Sequence, residues 1–330
     1  NFISIYVTNF YIDIHACFGE WTKSLPDDIR KASYPVVPGH EILGVIKAVG
    51  KNVTNVAIGD IVGVGCMVGS CLNCDGCSKH EFYCPESIGT YGTADKHFPG
   101  KKTMGGYSTD IIVQDHFALK IPEQLHDKLA AVAPLLCAGI TTYSPLRAAG
   151  ITKGSKVGVV GLGGLGHLAV KQAVAMGAEV YVFSRSTSKQ ADAERLGVKQ
   201  LILTTEPESV KQFIGKLDAI FDTVSDVHDI NTLLSTLHPY GKLFLLGGSP
   251  NNYDLSPFAL ILGHKSVHGS VIGGITETAE MLDFCAKNNI VSDIEMVDIK
   301  DINEAYQRVL KSDVKYRFVI DIEKTLQKKQ

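Results

Sequence analysis

Between residues 156 and 246 short apolar runs alternate with helical ones, and the first run leads directly into a glycine-rich turn. Lys156 to Val160 reads as a strand, Gly161-Leu-Gly-Gly-Leu-Gly166 follows, and a helical pattern runs from His167 to Met176, where Gly177 stops it. Glu179 to Phe183 is a second strand. Thr187 to Leu196 is a second helix, closed by Gly197. Val198 to Leu203, Asp218 to Asp222 and Lys242 to Leu246 continue the series as strands. Strands separated by helices cannot be joined by hairpins, so they predict a parallel sheet with crossover helices. The spacing Gly161, Gly163, Gly166 then acquires a specific meaning. The first glycine makes the tight turn, the second lets backbone approach a pyrophosphate, and the third lets the helix sit close on the sheet. The N-terminus of that helix faces the phosphates.

The end of the second strand predicts which dinucleotide binds. An acidic residue there would hold the ribose hydroxyls of NAD. This chain has Ser184-Arg185-Ser186 and then Lys189, with no acid before Asp192. A carboxylate would repel a 2′-phosphate, whereas Ser and Arg can hydrogen-bond it, so NADP(H) is expected. Gly164, Leu165, Thr141, Thr223, Gly247 and Ser270 complete the expected cofactor-binding set.

Eight cysteines in a chain of net charge -3 form the second constraint. That charge offers no basic field for nucleic acid or anionic lipid, so neither is an expected partner. The apolar stretch Phe2 to Ile14 is interrupted by Ser4, Thr8, Asn9 and Asp13 and has no basic leader. It is read as neither signal peptide nor membrane span, and a cytoplasmic location is expected. In that compartment clustered cysteines indicate metal rather than disulfides. Cys71, Cys74, Cys77 and Cys84 are spaced C-x2-C-x2-C-x6-C in a polar loop. Four thiolates close a tetrahedral zinc shell and leave no position for chemistry, so this zinc is expected to be structural. Cys66, Cys17 and Cys285 fall outside the spacing and are read as small buried or semi-buried side chains; His97, His264 and His268 receive no role.

Residues 36–65 carry close-set glycines among Val and Ile, which suits a bent, barrel-like sheet. After 274 the pattern is mixed: helix Thr276 to Lys287, strand Ile294 to Ile299, helix Ile302 to Lys311, strand Tyr316 to Ile322. In this stretch and before it the chain resembles the zinc-containing medium-chain alcohol dehydrogenases. The resemblance is carried by Gly39-His40-Glu41-x-x-Gly44, the cysteine lobe, Leu136-Cys137-Ala138-Gly139-Ile140-Thr141 and the glycine turn, in the family's order from about Asp13 to Ile322. Gly-Thr-Tyr-Gly at 89–92 and Gly-Gly-Tyr-Ser at 105–108 resemble the cinnamyl-alcohol-dehydrogenase-like, NADP(H)-dependent branch, although the lobe is one residue shorter before its last cysteine.

The resemblance implies a barrel-like (GroES-like) catalytic domain over 1–139 with a zinc lobe at about 66–92. It implies a Rossmann cofactor domain over 140–273 and a return to the catalytic domain over 274–330. It implies a catalytic zinc on a first cysteine, His40 and Cys137, with Glu41 beside the metal, Asp13 orienting His40, and His15 at the outer end of a proton relay. The first ligand position reads Phe10, and the relay hydroxyl position reads Ile12. Phe10 cannot bind zinc and Ile12 cannot pass a proton, so the catalytic site is expected to be impaired. The abrupt edge before Asp13, beside a start without Met, fits a disrupted or misread gene end. The function implied is NADP(H)-dependent hydride transfer between a primary alcohol and its aldehyde, by a homodimer. The alternatives are a zinc-independent NADPH reductase of activated C=C bonds, or an inactive NADPH-binding protein.

Overall fold

The computed structural model describes residues 2–9, 11–18, 34–249 and 251–326. The chain forms two compact units, residues 1–140 with 273–330, and residues 141–272.

In the first unit β1 (Phe2–Asn9), β2 (Ile42–Ile46), β3 (Ile61–Val64), β4 (Met67–Gly69), β5 (Ile88–Gly89), β6 (Asp110–Ile111) and β7 (Leu119–Lys120) precede the second unit. The second unit contains β8 (Lys156–Val160), β9 (Glu179–Ser184), β10 (Gln200–Leu203), β11 (Leu217–Asp222), β12 (Leu237–Leu245) and β13 (Ser266–Gly269). The chain then returns to the first unit with β14 (Ile294–Val297) and β15 (Arg317–Asp321). Among the described residues, the first unit's large sheet runs β14-β15-β1-β2-β3-β7, with β6 paired to β1. Antiparallel register sets Val7 opposite both Ile42 and Ile320, and these three share a core with Val62, Val64 and Ile46. Small β4 and β5 pair separately.

The second unit is the expected doubly wound parallel sheet, ordered β10-β9-β8-β11-β12-β13. Its strands read as near-continuous apolar runs because both faces are covered. Val157, Val159, Val180 and Val182 pack on one side with Ala169, Val170 and Ala173 of helix Gly166–Ala175. The alternate residues Val160, Tyr181, Phe183 and Ile220 pack on the other with Leu233 and Leu234. Strand order reverses between β8 and β11, the crevice where such sheets bind ligands.

Several boundaries differ from expectation. The run Thr187 to Leu196 is a 3-10 turn, capped by the Ser186 hydroxyl accepting from Ser188 N, followed by a short helix, Gln190–Arg195. Strand β12 begins at Leu237, earlier than its apolar run suggested. No single helix among the described residues is long and apolar enough to cross a membrane.

Candidate functional site

His40 and Glu41 immediately precede β2, and their strand neighbour is β1. Gly39, just before them, has φ +101, and a Cβ there would meet Tyr107 and Val7 at 2.8 Å each. Only glycine makes this turn, and the turn aims the following histidine inward. Asp13, on helix Tyr11–Phe18, is fully buried behind it. One carboxylate oxygen, Oδ1, accepts from Gly39 N at 3.2 Å and lies 2.9 Å from His40 Nδ1. That contact assigns the Nδ1 proton and turns Nε2 away from Asp13. Burial opposes a charge on His40, but Asp13 and the neighbouring Cys137 outweigh it and raise its pKa.

Cys137 sits between a 3-10 turn (Ala133–Leu136) and helix Ala138–Ala149 and is buried. Cys66 lies in the link between β3 and β4. The ligand atoms of His40, Cys66 and Cys137 all lie within 4.8 Å of one another. Two thiols and an imidazole gathered within that distance are a chemically suitable set for zinc, and they leave one position of a tetrahedral shell open. The Cys66 thiol, and then burial, push Cys137 above its ordinary value against the pull of His40.

Cys66, expected only as a small buried or semi-buried side chain, is half-buried and is brought by the fold into this donor cluster. Glu41, which the resemblance puts beside the metal as an acid able to approach it, is fully buried with its carboxylate engaged by other partners. Its Oε2 accepts from the Thr8 hydroxyl, and its Oε1 accepts from Ala138 N at 3.3 Å and lies 3.9 Å from the Arg317 guanidinium. Burial raises the Glu41 carboxyl and lowers Arg317, partly offset in each case by the other's charge. The pair ties the residue after His40 to β15 and to the start of the helix that follows Cys137. Thr8 and Arg317 were not anticipated, because the contact joins residues far apart in sequence across β1, β2 and β15. Phe10 lies outside the described residues, as do the side chains of Ile12 and His15.

The four-cysteine lobe assembles as its spacing implies. Cys71 Sγ is 3.8 Å from Cys77 Sγ and 3.5 Å from Cys84 Sγ, close to the edge of about 3.8 Å in a zinc–tetrathiolate. Backbone N–H groups of Cys77 and Glu86 donate to Cys74 and Cys84 sulfur at 3.4 and 3.3 Å, favouring thiolates. Burial raises the Cys77 thiol, but its hydrogen bonds with Ser70, Cys84 and Cys74 together outweigh that and lower it to about 6. At the lobe's base buried Glu81 accepts from Ile275 N at 3.0 Å and meets His116 at 2.8 Å.

In the second unit Gly166 is obligatory, since a Cβ there would lie 2.1 Å from Gly161 O. Gly163 is exposed, with nothing within 4 Å of where its Cβ would project. Gly164 and Leu165 finish the turn, and no side chain caps the helix that follows. Thr223, Gly247 and Ser270 lie just beyond the C-terminal ends of β11, β12 and β13. Thr223 donates to Val160 O at 2.8 Å, so it borders the glycine turn. Ser184 ends β9 and holds its own loop, donating to Ser186 O at 2.8 Å, while Arg185 is exposed and Lys189 half-buried. Thr141 is buried at the start of this unit, on helix Ala138–Ala149. The turn, the exposed Arg185 and the strand ends offer backbone and cationic donors suited to a phosphorylated dinucleotide.

Comparison with known proteins follows these two regions. Residues 5–123 match the alcohol dehydrogenase GroES-like domain, and residues 164–287 match the zinc-binding dehydrogenase domain. The chain is 49% identical over 317 residues to 8-hydroxygeraniol dehydrogenase of Catharanthus roseus, covering 95% of this chain and 85% of that protein. It is equally 49% identical to cinnamyl alcohol dehydrogenase 2 of Rauvolfia serpentina, with the same coverage. Among solved structures, a cinnamyl alcohol dehydrogenase from Sorghum bicolor superimposes with a TM-score of 0.92 at 39% identity, covering 100% of this chain and 91% of that one. The Helicobacter pylori cinnamyl alcohol dehydrogenase complexed with NADP(H) gives 0.89 at 43% identity, covering 98% and 90%.

Proposed function

The chain belongs to the zinc-containing medium-chain alcohol dehydrogenases, in their cinnamyl-alcohol-dehydrogenase-like branch, and on that premise we propose that it is an NADP(H)-dependent alcohol dehydrogenase and aldehyde reductase with an impaired proton route. The observation that carries this reading is the buried cluster of His40, Cys66 and Cys137 with Asp13 behind the histidine. When bound, zinc supplies a Lewis acid for an alcohol or aldehyde oxygen, and the nicotinamide supplies or accepts hydride. The residues do the rest. Asp13 keeps the His40 tautomer, Thr8 and Arg317 hold Glu41, and the glycine turn receives the pyrophosphate. The absence of an acid after β9, with Ser184, Arg185 and Lys189 in its place, supports NADP(H) over NAD. The NADP(H) complex of the Helicobacter relative agrees with that choice.

Residue 12 is Ile, which carries no exchangeable proton toward His15. Turnover of this chain is therefore proposed to be slow. A homodimer along β13, the edge strand of the second unit's sheet, belongs to the same proposal. The test is NADPH and NADH oxidation with cinnamaldehyde, an aliphatic aldehyde and an enone. Slow aldehyde reduction with NADPH is expected. Reduction of the enone alone, or equal use of both cofactors, overturns the reading.

A further inference from the structure

We propose that Cys66 is the third protein ligand of the metal in this centre, so that the chain builds its Cys2His site from Cys66, His40 and Cys137 without a donor from residue 10. The inference deepens the function proposed above and rests on it only for the presence of a metal. Four observations carry it.

The first is position: the Cys66 sulfur belongs to the cluster whose ligand atoms all lie within 4.8 Å of one another. The second is backbone restraint that does not depend on the sulfur. Thr90 N donates to Cys66 O at 3.1 Å, and the Thr90 hydroxyl donates to Gly65 O at 2.5 Å. A Cβ on Gly65 would lie 2.6 Å from Leu136 O, so the turn bearing Cys66 is pressed against the backbone that leads into Cys137. A glycine before the cysteine permits this approach, which delivers the two sulfurs side by side. The third is elimination among neighbours. Glu41 is held by Thr8, Ala138 N and Arg317, and Asp13 Oδ1 by Gly39 N and His40. The fourth is chemistry: two thiolates and an imidazole are a sufficient protein set for a zinc site with one open position, and residue 10, a Phe, has no lone pair to add.

The experiment uses the full chain. Zinc is counted per chain, then replaced by cobalt, whose thiolate charge-transfer absorption reports how many sulfurs bind each ion. Wild type is expected to hold two ions per chain. In Cys66→Ser the ion in the lobe remains. The second ion is expected to bind more than about 100-fold more weakly, a larger loss than the 10–100-fold typical of losing an outer partner. Any cobalt bound there should have roughly half the charge-transfer intensity, one thiolate in place of two. Because Cys66→Ser can disturb folding, alkylation of wild-type Cys66 is followed by mass spectrometry with the metal bound and after chelation. Protection that disappears on chelation supports ligation. A wild-type chain with one ion only, a Cys66→Ser chain with unchanged second-ion affinity and spectrum, or Cys66 alkylated equally with and without metal overturns it. Two ions and a protected Cys66 without aldehyde turnover leave the ligand assignment standing while removing the activity.

Discussion

Asp13 Oδ1 lies 2.9 Å from His40 Nδ1, and both residues are buried. A carboxylate in that position fixes which imidazole nitrogen is protonated and raises the basicity of the other. Asp13→Asn should therefore keep the fold but weaken metal at the His40 cluster by about 10–100-fold, leaving the four-cysteine lobe loaded. Competition against a chelator of known affinity measures both sites. Unchanged affinity at the His40 cluster would show that Asp13 does not act through the histidine.

Arg185 follows β9 with its side chain exposed. A charge-assisted contact to a 2′-phosphate is worth about 1.5–3 kcal/mol. Arg185→Ala should accordingly raise the Kd for NADPH by roughly tenfold or more and leave that for NADH almost unchanged. Fluorescence titration of both variants with both nucleotides distinguishes a phosphate contact from a general loss of binding.

Removal of a single lobe thiolate tests the structural zinc. Cys74 accepts from Cys77 N at 3.4 Å and opens the short helix Asp75–Lys79. Cys74→Ser should release one zinc per chain and, if it costs about 2 kcal/mol or more, lower Tm by roughly 4–8 °C. NADPH affinity should be untouched. A variant that melts like wild type with its full metal content would remove the lobe's structural role.

Restoring a hydroxyl at residue 12 addresses the proton route. General acid–base assistance is typically worth about 10²–10⁴-fold. Ile12→Ser should raise kcat for aldehyde reduction by about 10² with little change in metal content, whereas Phe10→Cys added to it should give little more. A large additional gain from Phe10→Cys would mean that residue 10, not Cys66, is the productive ligand.

The second unit contains a pH-sensitive pair. His228 Nε2 lies 2.9 Å from Asp222 Oδ2 at the end of β11, a contact that becomes an ion pair when the imidazole is protonated. Contact with Asp222 raises the His228 pKa against partial burial. A histidine whose folded value is raised stabilises fully below its unfolded value of about 6.5 and loses that contribution as pH rises through the folded value. The Tm gap between wild type and His228→Gln should therefore be larger at pH 6 than at pH 8. A gap independent of pH would show that the pair does not ionise as a unit.

Local pattern was enough for whatever local geometry decides. The turn Gly161 to Gly166 announces a strand–helix crossover because glycine alone permits that approach, and the alternating apolar runs announce a sheet covered on both faces. Four cysteines within one loop reveal a zinc lobe because the loop is short enough for spacing to set distance. The site around His40 is different. Cys66, Cys137, Asp13, Glu41 and Arg317 come from separate segments, and the pairing of β1 with β2 and β15 brings Glu41 against both Thr8 and Arg317. Spacing carries no information across such distances. The sequence places Glu41 next to His40 but does not show that Thr8, Ala138 N and Arg317 engage its carboxylate, nor that the β3–β4 link bearing Cys66 is pressed against the backbone leading into Cys137. Which of several equally capable donors faces a metal is decided by tertiary packing, because packing determines which of them are already satisfied.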